Sequence, residues 1–198
     1  MSGAVAYLSR IVMPYERALK NGLRTSYDWH RWIWMSFPND PDRKRDFLFR
    51  VDVQEREARI LLLSLEAPAA IGDCIWETKS IGDEFLSQGA YRFQVRVNPT
   101  FRRASDHRRI ALYKDNDIRE WLKRKMSAIG AELVSAEVDQ PRDELFVKDG
   151  KRGKHVSVDI RGVISMHDQS LFRQGFLAGI GSAKGFGYGL LMLQPIQL

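Results

Sequence analysis

The stretch Asp46–Leu65, DFLFRVDVQEREARILLLSL, decides how the rest of the chain reads. Asp46–Val53 and Ala58–Leu65 are two runs rich in Phe, Val, Ile and Leu, and the residues between them are few and polar. Two such runs at that separation predict a β-hairpin. Outward toward the N-terminus, Ala4–Val12 alternates and carries β-branched residues, which predicts an opening strand. Pro14-Tyr15 then starts a helical stretch that runs to Trp34 with a break near Gly22 and a stop at Phe37-Pro38. Toward the C-terminus, the weaker segment around Ile75–Leu86 reads as a short helix, and Tyr91–Val97 alternates as a strand that Asn98-Pro99 ends. Strand, helix, strand, strand, short helix, strand is the ferredoxin-like order.

Residues 100–109, TFRRASDHRR, are polar, basic and aperiodic and read as a linker. Beyond them the same order recurs. Ile110–Tyr113 is a candidate strand. Asp117–Ile129 is an amphipathic helix with Ile118, Trp121, Leu122 and Met126 on one face, and Ala131–Val138 is strand-like. Leu145–Lys148 and His155–Ile164 flank a basic turn, Asp149–Gly153. Asp168 suits the N-cap of a helix through Leu177, and Tyr188–Leu193 is a last strand. The expected fold class is therefore α+β, two tandem ferredoxin-like (RRM-like) domains: 1–99, a linker at 100–109, and 110–198.

The chain has 198 residues, 44% hydrophobic and 28% charged, so it can bury a core and is not a disordered or fibrous sequence. No run approaches the roughly 18 apolar residues of a membrane span, and the first ten residues lack a signal peptide's basic and apolar regions. The expectation is a soluble cytoplasmic protein with no membrane partner. The lone Cys74 excludes an internal disulfide and the usual structural zinc site. A formal net charge of +6 favours a polyanionic partner.

Thr25–Trp34, TSYDWHRWIW, places Tyr27 and His30 three apart, hence on one helical face, with Arg31 adjacent. That trio suits proton transfer beside a phosphate: an imidazole takes a proton near neutral pH, a phenol donates or orients, and a guanidinium holds phosphate oxygens. The same spacing also fits two residues that merely border a core face built by Trp29, Ile33 and Phe37. His107, His155 and His167 have no neighbours at metal-ligand spacing, so no metal and no cofactor is expected. No nucleophile elbow, Walker loop or HExxH motif is present. Two basic clusters suit a phosphate backbone: Arg102, Arg103, Arg108 and Arg109 in the linker, and Lys148, Lys151, Arg152 and Lys154 in the hairpin. Gly179–Leu191, GIGSAKGFGYGLL, holds Lys184 in backbone that can approach a phosphate closely, or it is a turn required for tight packing.

Several strings then point one way: Tyr7-Leu8-Ser9, His30 followed by Trp32 and Phe37-Pro38, and Arg45–Arg50 (RDFLFR). Arg96, Asn98-Pro99-Thr100, Trp121-Leu122 with Arg124-Lys125, and Gly179-Ile180-Gly181 with Lys184, Gly187 and Gly189-Leu190-Leu191 continue the pattern. In order and spacing the chain resembles the CasE family, the CRISPR repeat-processing endoribonucleases of type I-E systems. The resemblance implies two ferredoxin-like domains and metal-independent cleavage of CRISPR precursor RNA at repeat stem-loops. It also implies that the guide RNA stays with the protein among the other subunits of a surveillance complex. His30 matches the family's catalytic histidine, Tyr27 a tyrosine present in some members, and Arg31 and Lys154 are weaker matches. The expected chemistry is attack of a ribose 2′-hydroxyl on its own phosphate, leaving a 2′,3′-cyclic phosphate. The alternatives are a noncatalytic RNA-binding subunit and a purely structural assembly protein.

Overall fold

The structure is a computed structural model that describes residues 4–148 and 151–197. By their contacts these residues form two units, one of residues up to Asp83 together with Gly185–Gly187, the other of Glu84–Lys184 and the residues from Tyr188 on.

In the first unit β1 (Ala6–Pro14) is followed by the helices α1 (Tyr15–Lys20) and α2 (Ser26–Trp34), the hairpin β2 (Phe47–Val53) and β3 (Glu57–Ser64), and β4 (Ile75–Ile81). All neighbours are antiparallel in the order β2-β3-β1-β4, the ferredoxin-like order. The expected hairpin forms, with Phe47 opposite Ser64 and Val53 opposite Ala58. Its alternate residues Phe47, Phe49, Ala58, Ile60 and Leu62 join Ile11 and Met13 under Trp29, Trp32 and Ile33 of α2, a single buried apolar layer. One expectation fails here. Ile75–Ile81 is a strand paired with β1, and only the four residues Asp83–Leu86 (α3) after it are helical. This edge strand is exposed along most of its length, so it carries no two-period burial pattern to betray it.

The second unit opens with β5 (Ala90–Val97) and continues through β6 (Thr100–Arg102), β7 (Arg109–Ala111), α4 (Asp115–Ser127), β8 (Ala131–Val138), β9 (Arg142–Lys148), β10 (Lys151–Met166), α5 (Gln169–Ala178) and β11 (Leu191–Ile196). Its main sheet runs β11-β5-β10-β8, the same antiparallel order. The boundary expected at Asn98-Pro99 is therefore corrected. Tyr91–Val97 does not close the first unit; it is the central first strand of the second, where Arg96 on β5 is ion-paired to Asp159 on β10 at 3.1 Å. The expected linker is corrected as well: β6 and β7 pair, Arg102 opposite Arg109, as a small hairpin that takes up the segment expected to be a strand at Ile110–Tyr113. Ile118, Trp121, Leu122 and Met126 all face the core from α4, and the Asp168 carboxylate accepts from the Leu171 amide at 2.9 Å as the cap of α5. The strands β9 and β10 pair up to Lys148 and Lys151, while Asp149 and Gly150 of the expected turn lie outside the described residues. The helix expected at Asp117–Ile129 begins and ends two residues earlier, and the last strand lies three residues later than Tyr188–Leu193.

Candidate active site and nucleic-acid interface

In the first unit the site is built on α2. Thr25 and Asp28 form a capping box: the Thr25 hydroxyl oxygen accepts from the Asp28 amide at 3.2 Å, and the Thr25 amide donates to the Asp28 carboxylate at 2.8 Å. Burial pushes the Asp28 carboxyl up. The Thr25 hydroxyl, the Thr25 and Arg24 amides and the Arg31 charge outweigh it and hold the group below its usual range. With its start fixed, the helix buries Trp29, Trp32 and Ile33 and leaves Tyr27, His30 and Trp34 half-buried along one stripe.

The His30 ring lies 6.5 Å from Tyr27 in a stacked arrangement, 5.7 Å from Trp34, 5.6 Å from Phe47 and 6.1 Å from Phe49. The imidazole therefore sits in an aromatic bed, oriented by rings rather than by charges. Arg31 is one residue round the helix and exposed. The two roles that the spacing left open coincide: His30 borders the core and still stands with Tyr27 and Arg31 on an accessible helix.

Gly185–Gly187 belongs to this unit. A side chain at Gly185 would come 4.0 Å from His30 Cε1, and Gly187 has φ +84° with Phe49 Cε2 only 3.3 Å from where a Cβ would stand. The glycines are thus required for close approach, as the glycine-rich run suggested, but what they approach is the bed of His30. Phe47 and Phe49 were legible only as strand residues. Their alternate spacing on β2 was the available signal, since it puts both on the face that meets α2.

The basic residues of the second unit divide into groups that the sequence did not separate. Arg103 is bound to the Asp106 carboxylate at 3.0 and 2.6 Å, and Arg108 lies 3.6 Å from the same group. Arg102 and Arg109, opposite each other in β6 and β7, are exposed and take part in no ion pair among the described residues. Lys154 donates to Asp143 at 2.9 Å while Tyr113 donates to the other oxygen of that carboxylate at 2.8 Å. Hydrogen bonding with Tyr113, then with Asp143, raises the Lys154 ammonium above its usual value. Neither Tyr113 nor Asp143 was foreseen from sequence. Arg152 is exposed in β10; the side chains of Lys148 and Lys151 lie outside the described residues. Lys184 is half-buried and opens a 3₁₀ turn through Phe186. His155 is not a solvated hairpin residue: it stands half-buried between Phe146, 4.3 Å away edge-on, and Tyr188 at 5.6 Å. Burial pushes its pKa down, with the Glu144 charge opposing.

Among the described residues no three His, Cys, Asp or Glu side chains are grouped to hold a metal ion, and no helix is long and apolar enough to cross a membrane.

The chain is similar over nearly its full length to known proteins. It is 29% identical to the CRISPR system Cascade subunit CasE of Escherichia coli strain K12, covering 96% of this chain and 100% of that one. It is 26% identical to the CRISPR-associated endoribonuclease Cse3 of Thermus thermophilus, again over 96% of this chain and 100% of the relative. Its fold matches the structure of CRISPR endoribonuclease Cse3 bound to a 19 nt RNA with a TM-score of 0.81, at 24% identity and over 98% of this chain and 100% of that one. A family model described as CRISPR associated protein matches residues 6–195, which takes in both sheets, the α2 site and the basic hairpins. A match through both units, with His30, the RDFLFR strand and the glycine run in their expected order, places the chain in the CRISPR associated protein family as a CasE member.

Proposed function

We propose that this protein cleaves CRISPR precursor RNA within its repeat stem-loops, needs no metal ion to do so, and keeps the resulting guide RNA as a subunit of a surveillance complex. The observation that carries the proposal is the Tyr27–His30 face of α2 in its aromatic bed, in a chain whose full-length relatives are named a Cascade subunit and an endoribonuclease. The ribose 2′-oxygen forms a bond to the adjacent phosphorus while the bond from phosphorus to the 5′-oxygen breaks. A 2′,3′-cyclic phosphate and a free 5′-hydroxyl result. His30 moves the proton, from the attacking hydroxyl or to the leaving oxygen, and Tyr27 assists. Arg31 or Lys154 stabilises charge on the phosphate oxygens, and for Lys154 this means exchanging Asp143 for phosphate. The two arginine pairs Arg102/Arg109 and Arg103/Arg108, the hairpin cations Lys148, Lys151 and Arg152, and Lys184 hold the RNA. A net charge of +6 and the lone half-buried Cys74 support an RNA partner and a reducing cytoplasm.

The test combines the protein, its cognate repeat RNA and a chelator, followed by end-group analysis. Cyclic-phosphate products in chelator are expected. Cleavage that stops in chelator and returns with Mg²⁺ would overturn the mechanism, and RNA that is bound but left intact would establish the noncatalytic reading.

A further inference from the structure

We infer that the second unit carries a preformed pocket for one backbone phosphate of the RNA, at the foot of the β6–β7 hairpin between Arg102, Arg109 and Lys125. The inference rests on the proposed RNA-processing function and assigns a particular contact within it. A cavity of about 260 Å³ opens there, and none of its lining residues is acidic. Arg102 and Arg109 face each other directly across the antiparallel pair, an arrangement that destabilises a ladder unless an anion lies between the two charges. Lys125 supplies a third cation from α4, with its ammonium 5.9 Å over the Trp121 ring. The three are exposed and enter no ion pair among the described residues, whereas Arg103 and Arg108 on the same hairpin are already held by Asp106.

The floor and rim are rigid. Trp121 is 3% exposed and its indole N–H donates to the Thr100 carbonyl at 3.1 Å, which ties α4 to β6. Gly181 has φ +78° and lies so close on that ring that a Cβ would stand 3.0 Å from it; only glycine lets the backbone form this wall. The Ser182 hydroxyl donates to the Asn98 carbonyl at 3.2 Å, and the Asn98 side chain accepts from the Val156 amide at 3.1 Å, anchoring the rim to β10. Three cations around a small polar cavity whose walls need no rearrangement suit a single phosphodiester better than a base, which would need an open apolar face. Sequence alone had treated Lys125 as part of a solvated helix face and the four hairpin arginines as equivalent.

The test measures affinity for the repeat stem-loop RNA against salt. It compares wild type, the double variant Arg102→Gln/Lys125→Gln, and Arg161→Gln, whose guanidinium is already paired with Glu137. Each protein is also given RNAs bearing one neutral methylphosphonate at successive positions. The double variant is expected to flatten the slope of log affinity against log salt by about 2, near 1 per lost phosphate contact, with Arg161→Gln close to wild type. One methylphosphonate position should weaken wild type about tenfold and leave the double variant unaffected. An unchanged slope, or a flattened slope with the same methylphosphonate profile as wild type, overturns the pocket while leaving the RNA function standing. Wild-type protein that binds no RNA overturns the function itself.

Discussion

The surroundings of His30 in the first unit and of Arg102 in the second are held by opposite forces. His30 is positioned by Tyr27, Trp34, Phe47 and Phe49, through contacts that added salt does not weaken. The basic residues of the second unit stand in solvent, and what distinguishes them is whether an acid has already claimed them: Asp106 holds Arg103, Asp143 holds Lys154, and Arg102 and Arg109 remain open to a ligand. The difference teaches that rate and affinity are separable here. Salt should lower RNA affinity through screening while the single-turnover rate of the saturated complex stays nearly constant.

The sharpest way to break that comparison is to remove the group on which only rate depends. His30→Ala is expected to lower the single-turnover rate by about 10² to 10⁴, with affinity for the stem-loop and its salt slope kept. RNA lacking the one 2′-hydroxyl at the cleavage site should bind and remain intact with wild type. Cleavage of that deoxy RNA would remove the roles given to His30 and Tyr27.

The second unit has its own apolar support, and Trp121→Ala tests it. Loss of this buried indole should cost roughly 3 to 5 kcal/mol in denaturant unfolding, a larger stability loss than His30→Ala causes. It should also flatten the salt slope, because Lys125 and Gly181 lose the ring they rest on. A slope equal to wild type would detach the basic pocket from its floor.

Gly187→Ala probes the first unit from the glycine run. A side chain at φ +84° against Phe49 should cost about 1 to 2 kcal/mol and lower the cleavage rate, since the bed of His30 must shift. Salt dependence should not move; if it did, this segment would belong to the binding surface instead.

The smallest effect expected is at the start of α2. Thr25→Ala should cost about 1 kcal/mol at neutral pH, the ordinary worth of a cap. The Asp28 carboxyl is held below its unfolded value of 3.8, so its contribution is present above that pH and is lost as pH falls through the lower folded value. The gap between wild type and variant in urea should therefore narrow on acidification. An equal gap at neutral and acid pH would show that the carboxylate takes no part in the cap.

Where each segment carried its own periodicity, its structure was legible in advance. The β2–β3 hairpin, the apolar face of α4, the Asp168 cap and the stripe linking Tyr27 to His30 are short-range patterns, set within about two turns or one strand pair. Strand Ile75–Ile81 escaped because an edge strand exposed on most of its length leaves no hydrophobic alternation. The basic segment at 100–109 hid its hairpin because six polar residues separate two strands of only three residues each.

The sequence by itself determined the α+β class, the elements of both sheets apart from that edge strand and the small hairpin, the helix that bears His30 and the location of excess positive charge. Those properties follow from composition and from contacts near in the chain. Only the tertiary structure decided that Tyr91–Val97 opens the second sheet, where β10 and β11 flank it, since an alternating strand fits either sheet until its partners are present. It also decided that Gly185 meets His30 and that Asp106 and Asp143 neutralise some cations but not others. A side chain's nearest charge and a glycine's nearest ring are set by packing between distant segments, and no local spacing encodes them.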